Sequence, residues 1–168
     1  MRGNPTRLVS WGLPLLTAAV YAVLVLHFGR QLIAEAQGQL PFDLRAWGYS
    51  LNATRDYLRA LSPAGYQLAA GPILWTDTLF PALLGLTLAW WMRPYRGAFG
   101  MVCVLAAMVY VALDWGENWA VQRILFAGPD WLNPADAARA SAFTQGKFAA
   151  LALALVLAAR QGWRRHRG

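Results

Sequence analysis

The chain has 168 residues, 58% hydrophobic and only 14% charged, with a formal net charge of +7. Soluble domains carry about 25% charged residues, so this composition excludes an ordinary water-soluble globule. A lone cysteine, Cys103, excludes an intramolecular disulfide framework and a cysteine-based zinc site, while nine tryptophans suit a membrane interface.

Four stretches approach or exceed the roughly 20 residues needed to cross a bilayer. They are 8–28, 71–92, 98–121 and 140–159. The expectation is an all-α fold: a four-helix transmembrane bundle, up-down-up-down, forming one membrane domain over residues 1–168.

The first span follows Arg2 and Arg7 and approaches Ala34-Glu35-Ala36, which together resemble a signal peptide and its cleavage site. Its apolar run is longer than the roughly 7–15 residues of a signal core, so it is read as a retained anchor. Pro14 should kink it, and His27 lies about 5 Å below its flank at Arg30.

The following loop is too long for a simple connector. Ser50 is a helix cap for 51–61, and Ser62-Pro63 is a second cap with proline at the first helical position. These short amphipathic helices, about 50–69, either rest on the outer leaflet or form a lid over the bundle.

Charged groups in hydrocarbon are costly and mark function by default. Span two carries Asp77, with Pro81 four residues on, which cannot donate to the Asp77 carbonyl and so frees an acceptor beside the carboxylate. Thr76 and Thr78 are placed to stabilise that bend. Span three carries Asp114, Glu117 and Asn118 at i, i+3 and i+4, on one stripe with Tyr110, Ala107 and Cys103. Asn133-Pro134-Ala135-Asp136 is a helix start that feeds span four, where Thr144 and Lys147 share a face. Lys147 is the only lysine beside fourteen arginines, a bias that suggests a GC-rich bacterial source. Counted from their flanks, Asp77, Asp114, Glu117 and Lys147 all lie about 9–13 Å deep, in one slab.

Arg2, Arg7, Arg93, Arg96, Arg160, Arg164, Arg165 and Arg167 flank one side with no acids, whereas the other side is nearly balanced. The positive-inside rule then predicts a multi-pass protein of the cytoplasmic (inner) membrane with both termini cytoplasmic. The polar slab falls in the outer leaflet. Three carboxylates against one ammonium leave excess acid there, and at least one of Asp114 and Glu117 is expected to hold a proton near neutrality.

Several chemistries find no support. His27 and His166 sit toward opposite sides, against a bis-histidine haem site. Asp114, Glu117 and His27 lack the H-x-x-E or E-x-x-H spacing of a metal set, and no Gly-rich phosphate loop or intramembrane serine triad is present. The basic tail suits anionic lipid better than nucleic acid. No cofactor is implied.

Asp77-Thr78-Leu79-Phe80-Pro81, Asp114-Trp115-Gly116-Glu117-Asn118, Lys147 and the segment Phe42-Asp43-Leu44-Arg45 through Gly48-Tyr49-Ser50 together resemble a group of small bacterial four-span membrane proteins. That group, uncharacterised in activity, shares D-x-x-F-P and D-x-x-E-N motifs. The resemblance covers most of the chain and implies no activity. The architecture is also similar to the sterol-isomerase and sigma-2-receptor class, four spans with acids facing an intramembrane cavity, by analogy alone.

Three readings follow. The cluster Asp77, Asp114, Glu117, Asn118, Lys147, Tyr110, Thr144 and His27 holds a small amphipathic or lipid-like ligand; or Glu117 or Asp114 does acid–base chemistry on one; or the cluster only ties helices together in a scaffold or assembly subunit. Partners are the bilayer, a lipid-like molecule, and a membrane-protein partner or second copy. A cavity beside Asp77 and Glu117 separates the first two readings from the third.

Overall fold

A computed structural model describes residues 5–167, with side chains described over 9–164. Arg2 and the side chains of Arg7, Arg165, His166 and Arg167, used above for orientation and to exclude haem, lie outside the described residues. The described chain is helical throughout its regular structure: α1 (Pro5–Ala22), α2 (Arg30–Glu35), α3 (Leu51–Ala60), α4 (Pro63–Leu68), α5 (Leu74–Met92), α6 (Gly97–Ala127) and α7 (Pro134–Arg167). Wider π-type turns, Val23–Gly29 and Ala69–Ile73, join α1 to α2 and α4 to α5 without breaking either rod. Pro72 sits inside the second and has no amide to give to an α-helical ladder, so a wider turn there costs one bond fewer.

Four continuous helical stretches are long and apolar enough to cross a membrane: Val9–Glu35, Pro63–Met92, Gly97–Ala127 and Pro134–Arg164. This fits an integral membrane protein. Three of them outrun the apolar segments of the sequence by several residues at one end. The extra turns carry polar residues and pack against one another and the loop helices, which supply the burial that hydropathy alone does not register.

Contacts fix the helix directions. On α1 and α5, Tyr21 meets Phe80 and the Thr17 hydroxyl lies 3.0 Å from that of Thr87, while the Trp90 indole donates to Ser10 at 3.2 Å. Residue numbers rise on one helix as they fall on the other, so the two run antiparallel. The same holds for α5 with α6, where the Trp115 indole donates to the Thr78 carbonyl and Gly85 lies against Val111. It holds again for α6 with α7, from Arg123–Asp136 at one end to Arg160 over Phe99 at the other. Gly85 permits the α5–α6 approach, since a Cβ there would collide with Val111. The helix α1 packs along α5 and makes no comparable contact with α7.

The interior has two apolar cores. At the end covered by α3 and α4, Leu32, Phe42, Tyr57, Leu58, Ile124 and Leu132 pack together. At the end bearing the chain termini, Leu88, Met92, Tyr95, Cys103, Ala154 and Leu157 do the same. Tyr95, close to the arginines Arg93 and Arg96 in sequence, is buried here.

The loop helices form a lid. Ser50 accepts from the Ala53 amide and Ser62 from the Gly65 amide, the two caps that start α3 and α4. Tyr57 and Leu58 of α3 are each 2% exposed, buried against the bundle end. The Ala34-Glu35-Ala36 segment belongs to the same packing: Ala36 is fully buried, and Glu35 accepts hydrogen bonds from both the amide and the hydroxyl of Ser62.

Loop 41–49 is pinned to α7. Ser141 accepts from the Tyr49 amide at 2.9 Å, and Gln145 donates to the Trp47 carbonyl at 3.1 Å. Gly48 has a left-handed backbone (φ +81°) and lies where a Cβ would strike both α7 side chains. The Arg45 guanidinium ties the loop to itself, lying over the Phe42 and Tyr57 rings and donating twice to the Leu40 carbonyl.

Candidate functional site

Between the two apolar cores lies the polar slab. On α6, Asp114, Glu117 and Tyr110 are all buried on one stripe, as their spacing requires. Lys147 of α7 reaches across to that stripe. Its ammonium pairs with Glu117 and lies 3.5 Å from Asp114. Thr144, one turn earlier, donates its hydroxyl to the other Glu117 oxygen, with the Ala140 carbonyl also within reach at 3.1 Å. Glu117 is fully buried, so this pairing is shielded from solvent on its acidic side.

The acceptor freed by Pro81 is taken up by α6. The Asp77 carbonyl, which Pro81 cannot serve, accepts from the Asn118 side chain at 3.2 Å. Trp115 and Gln122, on neighbouring turns, donate to the carbonyls of Thr78 and Ala69. Three α6 side chains thus stitch the irregular backbone of the α5 rod. Thr76 and Thr78 bond back to the carbonyls of Pro72 and Leu74 rather than to the freed Asp77 carbonyl.

A cavity of about 430 Å³ opens beside this cluster, walled by α1, α5, α6 and α7. Asp77, Asp114, Tyr110 and Lys147 form its polar end, and Asp43 of the loop lies at the same end. Leu84, Phe80, Ala18, Phe148 and Leu151 make an apolar trough leading away, with Thr17 and Thr87 farther along. The volume falls in the range of small-molecule sites. Asp77 is 94% buried yet receives no hydrogen bond or ion pair on its carboxylate from any described residue (relative exposure 6%). One oxygen of Asp114 is likewise buried outside hydrogen-bond geometry with any described residue, with the Tyr110 hydroxyl as the neighbouring donor on that carboxylate.

The sequence-derived set therefore divides in two. Glu117, Lys147 and Thr144 form an enclosed ionic knot. Asp77 and Asp114 face the cavity with spare acceptor capacity, and Lys147 touches both halves. Asn118 serves backbone and lines, with Asp77 and Glu117, a second space of only about 40 Å³ under the lid. His27 is not brought in: it is exposed, its ring against Phe28, and lies outside the cavity wall.

Asp43 was not singled out by the sequence. It sits in a short 3-10 turn, Phe42–Leu44, lines both spaces, and interacts electrostatically with Asp77, Asp114, Glu117 and Lys147. Pro41 and Phe42 just before it, both buried, are the signal that this loop segment dips inward. Above it, burial raises the Tyr49 and Tyr57 phenols well beyond the ordinary tyrosine range. Among the described residues no three histidine, cysteine or acidic side chains are grouped to hold a metal ion.

No protein-family model, curated protein or solved structure matches this chain.

Proposed function

We propose that this chain is a binding protein of the cytoplasmic membrane that holds a small amphipathic, lipid-like molecule in the cavity between α1, α5, α6 and α7. The observation that carries this reading is Asp77: an ionisable side chain 94% buried, without a side-chain partner, at the end of an apolar trough (relative exposure 6%). Buried polar groups are nearly always satisfied, and one left open toward a cavity invites a ligand's polar group. The arginine-rich flanks support cytoplasmic termini, which puts the lid and the polar end toward the outer leaflet. Because α1 is packed on α5 but not on α7, the plane of the bilayer is the natural route in.

Acid–base chemistry on such a molecule would fall to Asp77 or Asp114, since Glu117 faces Lys147 and Thr144 rather than the cavity. Native mass spectrometry after extraction in mild detergent tests the binding reading. Wild-type protein should retain a small amphiphile that Leu84→Trp and Ala18→Phe, both filling the trough, lose. Equal retention by both filled variants would refute it.

A further inference from the structure

We propose that the molecule held here is an amine-headed amphiphile, its ammonium seated between Asp77 and Asp114 with Asp43 at its outer side. This rests on the cavity being a binding site, and it adds the chemistry of the head. Charge and hydrogen-bonding capacity both point to an amine. Three carboxylates, Asp43, Asp77 and Asp114, line the cavity against one cation, Lys147. That cation is already engaged by Glu117, which does not line the cavity, and by one oxygen of Asp114. What remains open is acceptor capacity: the Asp77 carboxylate and the second Asp114 oxygen, both buried.

A group that completes this end must donate hydrogen bonds and bring positive charge. An ammonium does both. A phosphate or sulfate head would add negative charge beside three carboxylates, with no free cation to receive it. The surrounding surface agrees: Tyr21, Phe80, Tyr110 and Phe148 also line the cavity, and aromatic rings favour a desolvated cation. The apolar trough then takes an alkyl or ring-bearing tail.

The test uses the full chain in lipid nanodiscs with three probes of equal tail: dodecylamine, dodecanol and dodecyl sulfate, each titrated by native mass spectrometry. Dodecylamine should bind one to one, at least about tenfold tighter than dodecanol, with dodecyl sulfate weakest. Asp77→Asn should erase the preference for the amine, and Asp114→Asn provides the same reading if Asp77→Asn folds poorly. Asp130→Asn, an exposed acid outside the cluster, should leave it intact. Equal binding of amine and alcohol, both blocked by Leu84→Trp, would overturn the amine assignment while leaving the binding reading standing. Tighter binding of dodecyl sulfate would overturn it too. Saturable binding of none of the three, or binding indifferent to Leu84→Trp, would overturn both.

Discussion

The Asn118 side chain donates to the Asp77 carbonyl, which Pro81 deprives of its helical partner. A proline in one helix and an asparagine in the next are thus two halves of one device. It satisfies the α5 backbone at the proline while leaving the Asp77 carboxylate free to face the cavity. That coupling is measurable. Asn118→Ala should lower stability by about 1 kcal/mol, in keeping with interhelical polar contacts in membranes. In a Pro81→Ala background the new amide can serve the same carbonyl, so the loss from Asn118→Ala should shrink. Additive losses in a double-mutant cycle would show that the two residues act independently.

A second prediction concerns the ionic knot. Lys147→Ala leaves Glu117 buried without its cation, a loss of about 3–5 kcal/mol in soluble cores and nearer 1–2 kcal/mol for polar contacts between membrane helices. Adding Glu117→Gln removes the stranded charge and should restore part of the melting temperature. No rescue would mean that the pair is not what holds α6 to α7 here.

The helix starts at Ser50 and Ser62, the acidic stripe of α6 and the acceptor freed by Pro81 were all legible in the sequence, because each depends on residues within one or two turns. His27 was chosen by depth alone. Depth does not give the face, and the wider turns over Val23–Gly29 shift the helical phase so that His27 points outward. Asp43 was missed for the opposite reason: a loop residue's position is set by tertiary packing, here by the clasp of loop 41–49 on Ser141 and Gln145. The division of the cluster was also illegible, since Glu117 and Asp114 share a stripe and differ only in what α7 and α1 place before them.

The lid makes a prediction of its own with pH. Burial holds the Tyr49 and Tyr57 phenols protonated in the folded state beyond the ordinary tyrosine value of about 10. Unfolding lets them release protons, so their contribution is complete below about pH 10 and is lost as pH rises further. Melting temperature should fall as pH rises beyond about 10, and Tyr49→Phe with Tyr57→Phe should flatten part of the fall. Gly48→Ala, by pushing the loop off α7, should bring tyrosinate absorbance to lower pH. An unchanged alkaline titration would mean that the clasp does not seal the lid.

Orientation is tested by cysteine labelling in a Cys103→Ala background. Asp130→Cys should react with an impermeant maleimide in intact cells, and Arg96→Cys only after permeabilisation. The reverse pattern would place the lid, and the cavity's polar end, toward the cytoplasm.

The central claim is that the two halves of the cluster do different work: Glu117 and Lys147 hold helices together, while Asp77 meets a ligand. Paired measurement of melting temperature and amphiphile occupancy on Asp77→Asn and Glu117→Gln tests it most directly. Asp77→Asn should keep its melting temperature and lose the amphiphile. Glu117→Gln should melt lower, yet retain the amphiphile when assayed below that melting point. Loss of both properties together in each variant, or an Asp77→Asn protein that keeps full occupancy, would contradict the account.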